Sequence, residues 1–448
     1  MTISKPDSRI EGLLLVACHS LLVTCFFLAF AQPVRANTCL GECHADIAKV
    51  ADRHAPVAED CLSCHRQTAG NHPAAKGNEF SLAAAGPALC FKCHDPLPQG
   101  KQHAPVAEGK CTACHDPHGG SGRALLATSG APQNQREVCF RCHPRERFSK
   151  PFPHGPVAMG ACTVCHDPHA SANPALLRKS GRKICLGCHA DFAQGLRKAA
   201  FVHSAVKEKE CTTCHEPHGG DKPALLKEDM RELCFGCHQD IKELVERGKS
   251  RHEPISGEGS CGSCHLVHYG DHPNLLFKEE KALCLQCHGG GNGAPPAGGR
   301  DIEKEISGKK YLHGPLAEGK CTPCHDPHAS RFASLLKGEY PGTFYAGYRE
   351  GLYDFCFGCH DKNLLKEGST ATGFRDGTRN LHALHVVRDV KGRTCMACHA
   401  PHASDSAKLI TKEGVPFGSW RVPLRFEKTD TGGSCAPGCH RKMEYKRK

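Results

Sequence analysis

The reactive side chains of this chain recur in one arrangement, two cysteines three positions apart with a histidine directly after the second, as in Cys111, Cys114 and His115. Thiols at that spacing share one turn and can add across the two vinyl groups of a single porphyrin, while the next imidazole reaches the iron; this is how a c-type haem is attached. The pattern stands at Cys61/Cys64/His65, Cys90/Cys93/His94, Cys111/Cys114/His115, Cys139/Cys142/His143, Cys162/Cys165/His166, Cys185/Cys188/His189 and Cys211/Cys214/His215. It continues at Cys234/Cys237/His238, Cys261/Cys264/His265, Cys284/Cys287/His288, Cys321/Cys324/His325, Cys356/Cys359/His360 and Cys395/Cys398/His399, which makes thirteen. At Cys39, Cys43 and His44, and again at Cys435, Cys439 and His440, one more residue separates the thiols; counting both gives fifteen sites. A C-x-x-C pair alone would serve zinc, a disulfide or a redox dithiol equally well. The histidine after every pair decides for haem.

Fifteen sites use thirty of the 32 cysteines. The other two, Cys18 and Cys25, fall in residues 1–36, where Lys5 and Arg9 precede an apolar run from Leu13 to Ala31 and Val34-Arg35-Ala36 resembles a cleavage site. That segment is expected to be a signal peptide, with a retained membrane anchor as the alternative. Export fits, because c-type attachment is completed outside the cytoplasm. No thiol then remains for a disulfide or a nucleophile, and no catalytic residue is assigned. The net charge of +11 would ordinarily suggest an anionic partner such as nucleic acid. Two propionates on every haem cancel that inference, and no nucleic-acid function is read.

What the irons do depends on their second axial ligand. Fifteen of the 32 histidines lie in attachment motifs and His19 in the leading segment, which leaves sixteen for fifteen haems. One set, His54, His103, His154, His203, His252 and His313, precedes the first motif of each copy by seven to nine residues, and His382 or His385 takes that part in the last copy. The other set, His118, His169, His218, His268, His328 and His402, follows a motif histidine by three, and His72 and His272 stand in H-P dipeptides further on. A histidine so close to its own motif cannot reach the far face of its own ring. It is expected to ligate a neighbouring haem, fourteen of the sixteen filling fourteen irons while His272 and one of His382 and His385 compete for the last. Methionine ligation is at best a local exception, since after residue 36 only Met159, Met230, Met396 and Met443 occur. Iron held by two histidines is low-spin, low in potential and closed to substrates, which suits outer-sphere electron passage.

The elements that must position these groups repeat. The first cysteines of the leading sites, 61, 111, 162, 211, 261, 321 and 395, step by 50, 51, 49, 50, 60 and 74 residues, and each copy carries two sites. With 39% hydrophobic and 6% aromatic residues the chain is poor in material for a core of its own, and porphyrins would supply it. The expected fold is mostly irregular with short α-helices, an elongated multihaem cytochrome c array of seven two-haem repeats with a core formed by haems. A helix is expected over Ala224 to Arg247 from Leu225, Leu226, Leu233, Ile241 and Leu244. The Leu pairs at 125/126, 176/177, 225/226, 275/276 and 335/336 are expected to cover haem faces. Residues 37–288 read as an N-terminal array of eleven haems. Residues 289–448 read as a C-terminal region of four haems with longer insertions, opened by a Gly- and Pro-rich connector. An aromatic insertion runs from Glu339 to Phe355, and a strand-like stretch around Trp420 from Val415 to Phe426. The insertions read as loop packing rather than a docking surface, and the basic tail 441–448 as a solvated terminus.

The H-x-P-V-A-x-G-x-C-x-x-C-H-D-P-H stretches, followed by Leu-Leu and a second C-x-x-C-H, resemble the doubled-CXXCH multihaem cytochromes, over about residues 54 to 402. Among them the chain is similar to the decahaem periplasmic electron-conduit cytochromes of metal-reducing bacteria. The resemblance implies a haem wire between a quinol-oxidising donor and an outer-membrane or extracellular acceptor, sometimes inside a porin; fifteen sites rather than ten put the porin in doubt. The function expected is therefore electron transfer without a catalytic step, in the periplasm or associated with the outer membrane. The alternatives are a reductase with one open haem iron, and a filament whose haems link subunits.

Overall fold

The computed structural model describes residues 39–41, 44–50, 52–68, 72, 79–120, 122, 124–128, 136–257, 260–290 and 299–448. The leading segment, Cys43 and most of the 289–300 connector lie outside them. The described residues fall into two compact units, one within Met1–Pro96 and Ala104–Val138, the other within Leu97–His103 and Cys139–Lys448. Many short helices, one-turn 3-10 segments and two-residue ladders make up both. Among the described residues no helix is long and apolar enough to cross a membrane.

The sheet is divided into small stitches. A two-residue strand before the first motif of one copy pairs antiparallel with a two-residue strand after the Pro-His of the next copy. The pairs are Asp52–Arg53 with Gly119–Gly120, Lys101–Gln102 with Ala170–Ser171, and Phe152–Pro153 with Gly219–Gly220. The same stitch joins Phe201–Val202 to Tyr269–Gly270, Ser250–Arg251 to Ala329–Ser330, and Tyr311–Leu312 to Ala403–Ser404. Backbone pairing that short contributes little by itself. Its use is registration, because it sets each histidine of the preceding set beside the Pro-His of the following copy.

Helices stay short because attachment turns interrupt them. In the second unit α1 (Ala190–Lys198) starts directly after His189, and α2 (Met230–Phe235) stops before the Cys237-His238 turn, after which α3 (Gln239–Arg247) begins. The single helix expected over Ala224 to Arg247 is therefore corrected to a 3-10 turn and two helices. Ala224 and Leu225 have φ of +54° and +57°, a left-handed conformation that no α-helix passes through. Phe235 and Val245, with Ile241 and Leu244, close on Ala329 from a later copy.

After α4 (Glu280–His288) the protein builds more core of its own. Ile306 of α5 (Ile302–Ile306), Leu316 and Ala403 form one cluster. Leu352, Tyr353 and Val386 form another, with Tyr340, Ala346 and Phe357 packed on it. The aromatic insertion is thus core, in line with its reading as packing. The stretch at Trp420 is a hairpin, Val415–Phe417 against Trp420–Val422, whose Phe417 meets Phe344 and Tyr345 edge to face. The basic tail, expected as a solvated terminus, is instead the third strand of a sheet of Glu427–Lys428, Gly432–Cys435 and Met443–Lys446. Tyr445 buries its ring against Phe374 and thereby fixes the strand.

Candidate haem sites

Most leading motifs are one 3-10 turn; in Cys111–Ala113, Cys162–Val164 and Cys211–Thr213 the histidine N–H that follows donates to the first cysteine's carbonyl at 3.0 Å. The chain then makes a hairpin of about ten residues that returns to the imidazole. In six copies the carbonyl nine residues on accepts from Nδ1: Ala124 for His115, Ala175 for His166, Ala224 for His215, Asn274 for His265, Ser334 for His325 and Lys408 for His399, at 2.6–2.9 Å. These carbonyls belong to, or directly precede, the left-handed residues of the Leu pairs, with φ between +47° and +58°. Two consecutive left-handed non-glycine residues cost about 1–2 kcal/mol each. A conformation that recurs at that cost reflects a purpose, here the aim of a carbonyl. With Nδ1 carrying the proton, Nε2 is the ring nitrogen left to bind metal.

The preceding set is oriented likewise from the next copy. The Pro carbonyls at 117, 168, 217 and 327 accept from Nδ1 of His54, His103, His154 and His252 at 2.7–3.1 Å. Sequence reasoning missed both groups of carbonyls. The fixed ten-residue step from motif histidine to Leu pair was the available signal.

Thirteen motif histidines each face one histidine from elsewhere, ring centres 5.9–6.4 Å apart. Two imidazoles on one metal need about that separation, a bond of about 2 Å and about 1 Å from nitrogen to ring centre on each side. The ring planes lie 7–29° apart in twelve pairs and 38° apart in His325–His402. Among the described residues no group of three or more His, Cys, Asp or Glu could enclose a bare metal ion. Two axial nitrogens with four equatorial positions left over suit a metal already held in a macrocycle.

The pairing obeys a rule. Second sites are faced from within their own copy, His54 on His94, His103 on His143, His154 on His189, His203 on His238, His252 on His288 and His313 on His360. Leading sites are faced from the next copy, His118 on His65, His218 on His166, His268 on His215, His328 on His265 and His402 on His325. His115, in the first unit, and His169, in the second, each keep the local contacts of their sets.

The two extremes of the series depart from the rule. His44 faces His72. At the last leading site His399 faces His382, held by α6 (Leu381–Val386), whose Asn380 cap is fully buried. Asn380 accepts from the N–H of His382 and Ala383 and donates to the carbonyls of Leu364 and Lys366. His385, one turn on, bonds Leu381 through Nδ1 and lines the same cavity as His440. His272 faces no motif histidine and pairs with Glu279 at 3.3 Å. Of the three histidines expected to compete, His382 is the one set opposite a motif histidine.

In the second unit fourteen histidines between His203 and His440 line one continuous cavity of about 2370 Å³, bordered by the cysteines of seven attachment sites from Cys234 to Cys439. A pocket for one small ligand is about 300–1,000 Å³. Burial holds the imidazoles of His203, His218, His268, His288, His313, His325, His328, His385 and His399 below the ordinary histidine range and His382 down to about 4, so the neutral, metal-binding form prevails. The Tyr353 hydroxyl is buried, packed with Cys395, and finds no partner among the described residues. These residues fit haem.

The thiols differ in exposure. Cys93, Cys142, Cys188, Cys237 and Cys359, each the second thiol of a second site, are exposed. Cys64 of the first leading site is half-buried, with Ser63 Oγ donating to its sulfur at 3.8 Å. Cys142, Cys188, Cys237 and Cys359 also stand off the cavity lining, which does take in Cys287 and Cys439, while Cys64 and Cys93 belong to the first unit. The second thiols of these second sites thus lie at the protein surface. The reason is local. A second-site pair closes a short helix, Pro87–Cys90, Arg136–Phe140, Arg182–Leu186, Met230–Phe235 or Asp354–Phe357, and the second cysteine falls in the turn beyond its last residue. A thioether joins the porphyrin at its edge, so a sulfur at the rim is still placed to make that bond.

The family model of the doubled CXXCH motif matches residues 54–99, 103–148, 154–194, 203–243, 252–293, 313–364 and 388–417. The chain belongs to that family. Its seven doubled motifs carry about 14–15 covalent c-type haems, and it is a multihaem c-type cytochrome. Multiheme cytochrome MtrA of Shewanella baltica (strain OS185) is 28% identical to it over 141 residues, 30% of this chain and 37% of that protein. The similarity thus spans little more than a third of the relative.

Proposed function

We propose that this protein is an exported electron conduit of fifteen haems, each iron closed on both faces by histidine. Covalent attachment is through the cysteine pairs named above, with the motif histidines proximal and His54, His72, His103, His118, His154, His169, His203, His218, His252, His268, His313, His328, His382, His385 and His402 distal. The observation that carries the reading is the set of thirteen imidazole pairs at the separation one metal requires. When bound, haem supplies the one-electron couple of its iron. The chain's own residues fix the ligand tautomer, keep both axial positions filled and hold successive rings close through the stitches. Nothing in such a site activates a substrate.

On this reading the haems form the core of an elongated array, with thiols such as Cys93 and Cys188 at its rim, an N-terminal part to residue 288 and a C-terminal part from 289. The donor is a quinol-oxidising protein and the acceptor lies at the outer membrane or beyond, with the protein itself in the periplasm or at the outer membrane. Intact mass of the mature protein reports the haem number, and fifteen increments support the count. The resting electron paramagnetic resonance spectrum should be low-spin throughout. A majority of high-spin irons, or carbon monoxide binding to most reduced haems, would overturn the conduit.

A further inference from the structure

The histidine that follows a leading motif usually has an acidic residue two positions before it, Asp116 for His118, Asp167 for His169, Glu216 for His218 and Asp326 for His328. Those aspartates accept the histidine's backbone N–H, at 2.9–3.0 Å. Where the ring itself is near, Nδ1 stands 3.8 Å from Asp116 and 3.5 Å from Asp326, too far for a good hydrogen bond. Two copies lack the acid, since Leu266 precedes His268 and Ala400 precedes His402.

The last copy replaces it from another element. Nδ1–H of His402 donates to Oε2 of Glu305 at 3.2 Å, while Oε1 of the same carboxylate accepts from Nε of Arg300 at 2.5 Å. Helix α5 holds Glu305 there through Ile306 and Ile302, which pack with Ala403, the residue after His402. Asp301 caps the helix by accepting from the Lys304 N–H. His268 has no such replacement in view; Phe192 meets its ring edge to face instead.

We infer that Glu305 is a positioning residue that lowers the reduction potential of the haem attached at Cys321 and Cys324, making it the most reducing of the leading-site haems. The inference rests on His325 and His402 being the axial pair of that iron. A carboxylate accepting the Nδ1 proton makes the imidazole a stronger donor through Nε2 and favours the more positive, ferric state. Reduction adds one electron to that iron, ferric to ferrous, with no bond broken and the proton remaining at Nδ1. The haem at Cys211 and Cys214, faced by His268, lacks this influence and lies higher.

The test uses the full holoprotein in a potentiometric titration with dithionite as reductant, followed by visible and electron paramagnetic resonance spectra. Glu305→Gln keeps size and position and should move one haem of the set to higher potential, shifting a single low-spin signal and leaving haem number unchanged. Glu305→Asp should restore part of the shift, and Leu266→Asp should move a different haem to lower potential. No change in Glu305→Gln, or an equal change over many haems, overturns the inference. The underlying ligation is checked separately by His402→Ala, which should create one high-spin iron; if every iron stays low-spin, the axial assignment fails rather than the role of Glu305.

Discussion

The regular copies between His103 and His288 and the region after residue 301 solve one problem by different means. In the regular copies a leading motif takes its facing histidine from the following copy, and protein core is scarce; Phe235 and Val245 are among its few members. At the last leading site the facing histidine is His382 from the same copy, and a cluster around Leu352, Tyr353 and Val386 builds the helix that presents it. Lending between copies makes cores unnecessary, because a two-residue ladder and a carbonyl suffice to aim each ring. Where the ligand comes from the same copy, the chain places it with conventional packing.

The sharpest break of the comparison is Asn380→Ala. It removes the α6 cap and leaves the carbonyls of Leu364 and Lys366 without their donor, costing roughly 2–4 kcal/mol, and it loosens His382 and His385 together. Two irons should turn high-spin, and thermal unfolding of the C-terminal region should come at lower temperature. His268→Ala, in a regular copy, should open one iron and lower stability little. Its defect should appear at the haem of Cys211 and Cys214, one copy earlier in sequence, as a single carbon monoxide equivalent.

Smaller effects separate the turn from the ligand. Ala224→Pro cannot adopt φ of +54° and should withdraw the carbonyl from His215, broadening one low-spin signal. Ala224→Gly accepts that φ and should raise the melting temperature slightly, by the equivalent of about 1 kcal/mol, with an unchanged spectrum. Acid tests helix α6. His382 sits near 4 in the fold against an ordinary 6.5, so the unfolded chain binds the extra proton and stability is lost as pH falls from 6.5 towards 4. Denaturation followed at the low-spin absorbance should show that loss, and no corresponding loss between pH 7 and 8.

Covalent chemistry was the legible part. Cysteine spacing, the register of the histidines and the copy length are read directly from side-chain identity, and Thr68 shows how strict that register is. It stands three residues after His65, where each later leading motif has a histidine to lend to the preceding copy; no leading motif precedes His65. What escaped reading was carried by backbone. Carbonyls at Ala175 or Pro217 have no side-chain signature, and the left-handed Leu turns read as helix because their apolar residues suit one. The depth of each thiol escaped in the same way, since Cys142 and Cys165 read alike in sequence and only the turn that carries each leaves one exposed and the other half-buried. The tail escaped for a similar reason, because Tyr445 alone among exposed neighbours is buried and ties the strand to the sheet.

The copies led by His215 and His265 each lend one imidazole backward and borrow one from ahead. A further unit of about 50 residues spliced between two such copies would therefore bring as many ligands as its irons consume. Interior duplication is balanced in coordination chemistry from the first generation, whereas extension past His399 would demand new packing before the added metal could be held. Molecules of this design can change length cheaply only from the middle.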